Sequence, residues 1–152
     1  MSILELVDSN NEILYTKTLP VEEITSVTEE FVKDLIETSR EIGGYGLAAP
    51  QVGISKQMFV YRKTAYGDYT VVINPKVVVM SGKMISKGEG CLSLPGFRAD
   101  LKRFKTVVIT YTDLKGNTVR LKNSTRIEAL ILQHELDHLA GKLINGNNQR
   151  CV

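Results

Sequence analysis

The sequence predicts an α+β domain, with antiparallel sheets packed around a central C-terminal helix and one further helix near the N terminus. Three observations predict it. Two segments, Val27 to Ile42 and the stretch after Thr125, carry apolar residues at helical spacing. The region between them holds short runs rich in Val and Tyr, bounded by Gly, Pro, Asn and Asp. Regular strand–helix–strand alternation, the mark of a doubly wound sheet, is absent.

The first helix is expected from about Val27 to Ile42. Ser26-Val27-Thr28-Glu29 has the spacing of a capping box, Phe31, Leu35 and Ile42 fall on one stripe, and Gly43-Gly44 stops the helix. Strands follow at Met58 to Arg62, Tyr69 to Ile73 and Val77 to Met80, separated by turns at Tyr66-Gly67-Asp68 and Asn74-Pro75. Phe104 to Tyr111 alternates as a strand, and Asp113-Leu114-Lys115-Gly116-Asn117 turns it into a hairpin partner, Thr118 to Leu121. The last helix opens on Thr125-Arg126-Ile127-Glu128, again a capping box, and Gly141 supplies a left-handed stop. Ile127, Leu130, Ile131, His134 and His138 form its apolar stripe, so both histidines should be largely buried.

A chain of 152 residues with 43% hydrophobic and 24% charged residues fits one domain, 1–152, with a real core. A net charge of +2 gives no nucleic-acid signal. The basic cluster Leu101-Lys102-Arg103-Phe104-Lys105 lacks interleaved aromatics and reads as a solvated edge. No stretch reaches the ~20 apolar residues of a membrane span, and residues 1–8 lack the basic start of an export signal. Two cysteines, Cys91 and Cys151, make no disulfide framework, and a reducing cytoplasm is the expected compartment.

The chemistry concentrates in His134-Glu135-Leu136-Asp137-His138, which holds the only two histidines of the chain. Histidines at i and i+4 share one helical face and can grip one metal ion, so the last helix is read as metal-binding. The intervening Glu135 stands where it can act on a water beside that ion. A closed structural site would need four protein ligands, and candidates are few, so three ligands and an open position fit better. After His138 the chain offers no acid and no further His, so a third ligand lies upstream or is Cys151. Cys91, within Lys87-Gly88-Glu89-Gly90-Cys91-Leu92-Ser93-Leu94-Pro95-Gly96, is the leading candidate. That glycine-rich backbone suits close approach to a metal or substrate, and a thiolate suits borderline and soft divalent ions. Cys151, beside the chain end, is the rival.

Three blocks together resemble the peptide deformylase family: Gly44-Tyr45-Gly46-Leu47-Ala48-Ala49-Pro50-Gln51, Glu89-Gly90-Cys91-Leu92-Ser93, and Gln133-His134-Glu135-Leu136-Asp137-His138. They match the family's motifs in order and at similar separations. Pro95, Arg98, Arg103 and Leu139-Ala140-Gly141-Lys142-Leu143 add agreement, so the resemblance spans roughly Ile24 to Ile144.

The resemblance implies a hydrolase that removes the N-formyl group from the formylmethionine of nascent polypeptides, releasing formate. It implies one divalent metal ion, Fe²⁺ in the cell and Zn²⁺, Ni²⁺ or Co²⁺ as isolated, held by Cys91, His134 and His138. Glu135 would be general base and then acid, with Gln51 and the backbone amide of Leu92 stabilising the oxyanion. Such a substrate needs an apolar slot for its methionine, and Ile127, Leu130 and Ile131 are the expected walls. Tyr45, Gly46 and Gly90 would pair with an extended peptide by strand addition, with Arg98 at the groove mouth. Arg103 would meet Glu89 or Asp137, or form a plain surface pair.

The partner expected is a formylmethionyl peptide on nascent chains, with the ribosome as one setting and with no membrane. The compartment is the cytoplasm, an organellar matrix, or a host cytoplasm for a phage-encoded chain. Two other readings use the same residues: a zincin-like peptidase, which needs a downstream ligand this chain lacks, and a non-catalytic metal- or peptide-binding domain, which needs neither Glu135 nor Gln51. Tyr45, where the family usually carries a small aliphatic residue, and Lys87, at an often apolar site, depart from the pattern near the pocket.

Overall fold

The computed structural model describes residues 2–146. In chain order they form α1 (Ser26–Ile42), β1 (Gly46–Ala48), β2 (Met58–Tyr61), β3 (Thr70–Cys91), β4 (Leu94–Thr112), β5 (Thr118–Lys122) and α2 (Arg126–Leu139), with short 3₁₀ turns at Glu12–Tyr15 and Ala49–Val52. The strands make one antiparallel meander in the order β1-β2-β3-β4-β5. The expected α+β class is what the chain adopts.

The sheet lies between the two helices. Phe59, Tyr61, Val107 and Ile109 pack against Ala129 and Leu132 of α2. Leu47, Met58, Val60 and Ile73 pack with Val32 and Leu35 of α1. This explains why Met58-Phe59-Val60-Tyr61 is an unbroken apolar run: alternate side chains leave the strand in opposite directions and both faces are covered.

Helix α1 begins one residue earlier than its sequence suggests. Thr25 is the N-cap, and Thr28, rather than Glu29, reaches back to accept the Thr25 backbone N–H at 3.1 Å. Gly43, at φ 78°, ends the helix in the left-handed conformation that a glycine adopts without strain.

Three expectations about the strands are corrected. Asn74-Pro75 is no turn: β3 runs through it as an irregularity in register, with Asn74 at φ 50° and its side chain bonded to both backbone groups of Val21. Residues 81–103 extend β3 and β4 into a long hairpin. Their polar, glycine-interrupted composition hides this, because much of the hairpin projects beyond the core and needs no apolar alternation. Gly46–Ala48, read from sequence as part of a helix stop and turn, is strand β1 at the edge of the sheet.

Helix α2 is fastened by polar groups as well as by its apolar contacts. Gln133 accepts from the Phe104 backbone N–H and donates to the Phe104 carbonyl, both at 2.8 Å, so it continues the sheet's hydrogen bonding onto the helix. Glu128 is buried and accepts from the Tyr61 hydroxyl at 2.8 Å and from the Ser124 backbone at 2.6 Å. The Thr125 hydroxyl accepts from the Glu128 N–H as expected, but the return bond goes to Ser124 rather than to Thr125.

Candidate active site

The turn of the β3–β4 hairpin, where Cys91 pairs with Leu94 across Leu92 and Ser93, lies against α2. Register irregularities between Ser86 and Cys91 accompany this approach. The Cys91 sulfur comes 3.4 Å from His138 Nε2, and one ligating atom from each of Cys91, His134 and His138 lies within 4.8 Å of the others. Cys151 falls outside the described residues, and Cys91 is the thiol the fold brings to the histidines.

A second set of contacts holds this geometry. Arg103 donates to both oxygens of Glu89, at 2.9 and 2.7 Å, and to Asp137 of α2. It is 5% exposed, so this is a buried network and not a surface pair. Glu89 Oε1 in turn lies 3.6 Å from His134 Nδ1, which leaves Nε2 of that ring for the centre. Burial opposes charge on Glu89, but Arg103 and His134 outweigh it and hold the carboxyl at about 2.

The residues fit a divalent metal on several grounds. One thiol and two imidazoles are a donor set for borderline ions. Burial alone would lower His134, yet hydrogen bonds to Cys91 and Glu89 outweigh it and raise it to about 10, so a cation binding here must displace that proton. Burial holds His138 well below its usual value, the neutral form a metal requires.

Glu135 reaches the same space from α2. Burial raises its carboxyl to about 7 against the pull of His134 and Arg103, and its Oε1 is buried without a hydrogen-bond partner. Its other oxygen crowds β1: a Cβ added at Gly46 would lie 2.5 Å from Oε2. Gly46 is therefore glycine because the carboxylate occupies the place of a side chain.

The Gln51 amide has a defined orientation. Its oxygen accepts the Ala48 N–H at 2.9 Å, which turns Nε2 toward Ser93 Oγ at 3.0 Å and Cys91 at 4.0 Å. Ser93 had no role in the sequence reading; its signal was only its place two residues after Cys91.

Gln51, Glu89, Cys91, His134 and Glu135 border a cavity of about 450 Å³. Tyr45, Gly46, Gly90 and Arg98 line it, as do Leu92, Leu130 and Ile131. The Arg98 guanidinium lies directly over Gly90, where any Cβ would collide with it. Ile127 does not line it and is 58% exposed. It shares the helical face of His134, but seven residues along a helix is roughly 10 Å, and the stripe outruns the cavity. Phe97 and Leu94, unassigned from sequence, complete the hairpin side.

Three converging side chains that could hold a metal, a buried carboxylate beside them and an oriented amide define a metal-dependent hydrolase. The chain matches the polypeptide deformylase family model over residues 3–150. A peptide deformylase of Borreliella burgdorferi is 41% identical over 140 residues, covering 92% of this chain and 84% of the relative. One from Finegoldia magna is also 41% identical, over 143 residues, with 94% and 88% covered. The crystal structure of peptide deformylase from Thermotoga maritima superposes with a TM-score of 0.91 at 29% identity, covering all of both chains. That of Ehrlichia chaffeensis peptide deformylase in complex with actinonin gives 0.88 at 35%, covering 95% and 87%. The chain belongs to the polypeptide deformylase family.

Proposed function

We propose that this protein hydrolyses the N-formyl amide of formylmethionine at the start of nascent polypeptides, releasing formate. One observation carries the reading: Cys91 joins His134 and His138 within 4.8 Å, and Glu135 and Gln51 border the same cavity.

A divalent cation on Cys91, His134 and His138 supplies Lewis acidity and makes an adjacent water more acidic. The residues do the rest. Glu135 accepts the proton of the attacking water and returns it to the departing amine; its buried place beside the ligand cluster puts it within reach of both. Gln51 Nε2 and the Leu92 amide donate to the oxyanion, where charge develops only in the transition state. The ladder partner of Gly46 is Tyr61, whereas the neighbouring Tyr45 carbonyl takes the Arg62 N–H at 2.8 Å. Alternation along an antiparallel edge therefore turns the Gly46 amide and carbonyl outward, available to an extended peptide. Gly90 borders the peptide from the hairpin, Leu130 and Ile131 receive the methionine, and Tyr45 and Arg98 stand at the mouth.

The ion we propose for the cell is Fe²⁺, with Zn²⁺, Ni²⁺ or Co²⁺ as functional substitutes, and the setting is the translating cytoplasm, on chains leaving the ribosome. No helix among the described residues is long and apolar enough to cross a membrane.

Anaerobically metal-loaded protein should release formate from formyl-Met peptides without cleaving internal bonds. Glu135→Ala and Gln51→Glu should retain metal and lose turnover, by ~2.7–4 kcal/mol of barrier for the oxyanion donor. Absence of formate release by the loaded protein, or near-normal turnover by Glu135→Ala, would overturn the reading.

A further inference from the structure

Arg62 is 7% exposed and forms no ion pair among the described residues. Instead its guanidinium lies over two tyrosine rings, 5.1 Å from the centroid of Tyr69 and 5.9 Å from that of Tyr45. Its Nε donates to the Gly44 carbonyl at 3.1 Å and its Nη1 to the Ala65 carbonyl at 2.7 Å. The Tyr69 hydroxyl donates to the same Gly44 carbonyl at 3.0 Å and also meets Ser39 Oγ at 3.0 Å. A buried cation without a carboxylate is costly unless other groups offset its lost hydration, and here two carbonyls and two ring faces do so.

What this cluster grips is the wall of the cavity. Gly44, Tyr45 and Gly46 all border it. The Gly44 carbonyl, with two lone pairs, is filled by Arg62 and Tyr69 and is withdrawn from any incoming peptide. Gly46 is then the first residue of this edge whose backbone groups remain open. Tyr45 is 41% exposed, and Arg62 backs its ring on the inner side.

We propose that Arg62 is a positioning residue that sets the register and the wall for the part of the peptide beyond the formylmethionine. It clamps the Gly44 carbonyl and backs the Tyr45 ring, with Tyr69 as its partner. The inference rests on the deformylase reading; only the clamp on residues 43–46 is tested independently of it.

Arg62→Lys keeps the charge and removes the planar stack and the Nε donor. For a formylated tripeptide it should raise KM roughly tenfold, the effect of losing one charge-assisted hydrogen bond, with kcat within about twofold. For formylmethionine amide, which has no following residue, KM should move less than about twofold. Tyr69→Phe should shift KM in the same substrate-dependent way, by a smaller factor. Hydrogen exchange at residues 43–46 should quicken in Arg62→Lys while that of α2 stays unchanged. Equal losses on long and short substrates, a fall in kcat alone, or unaltered exchange at 43–46 would overturn the proposal. Should Arg62→Lys fail to fold, Tyr69→Phe decides by the same comparison. Should the parent protein release no formate, the deformylase reading fails, and the exchange measurement still judges the clamp.

Discussion

Gly46 shows how much one missing Cβ controls. Glu135 Oε2 occupies the volume that a methyl group would need. Gly46→Ala should therefore push the carboxylate aside and lower kcat by on the order of 10²-fold, the scale set by a misplacement near 1 Å. Metal content should stay at the parental level. Steady-state kinetics beside metal analysis would check this, and unaltered kcat would remove Glu135 from proton transfer. The sequence placed Gly46 in the motif, but the reason for the glycine lies on a residue 89 positions away, across the sheet.

At the scale of elements, the site depends on the hairpin turn and α2 staying in register, and Arg103 is the tie. It bonds Glu89 on β3 and Asp137 on α2, and Glu89 faces His134. Arg103→Ala leaves two acids without their cation in a largely buried place. Removing one partner of such a network costs about 3–5 kcal/mol, which urea unfolding would register. Metal affinity should also fall, by about 10–100-fold, because His134 loses its oriented neighbour. A stable variant with normal affinity would show that the apolar contacts of α2 alone hold the site. Sequence left Arg103 between a buried network and a surface pair, since the side-chain pattern of an extended hairpin does not reveal which face α2 covers.

For the whole molecule, the three proposed metal ligands join a hairpin turn in mid-chain to the last helix, so an ion bound there would act as a long-range crosslink. Any ion that binds only the folded form stabilises it by mass action, about 2.7 kcal/mol at a hundredfold excess over Kd. Chelation should lower Tm accordingly, and hydrogen exchange should quicken first around Cys91 while the β2 core keeps its protection. A Tm indifferent to metal removal would contradict a folded-state site formed by these three residues. Much of the architecture was legible: both helices and the core half of β4 follow from apolar periodicity, β2 from an apolar run and β5 from the turn before it. The long hairpin was not, because strands beyond the core carry no burial pattern to read.

By itself the sequence determined the chemistry and most of the elements. Two histidines one helical turn apart around a Glu, a thiol in a glycine-rich segment and a Gln behind a Pro are local patterns that survive without coordinates. Tertiary structure alone decided that Cys91 meets the histidines, what a side chain at Gly46 would displace, that Ile127 lies beyond the cavity, and that Arg62 stands behind its wall. Those are contacts between segments remote in sequence, and spacing along a chain carries no information about which faces the sheet will bring together.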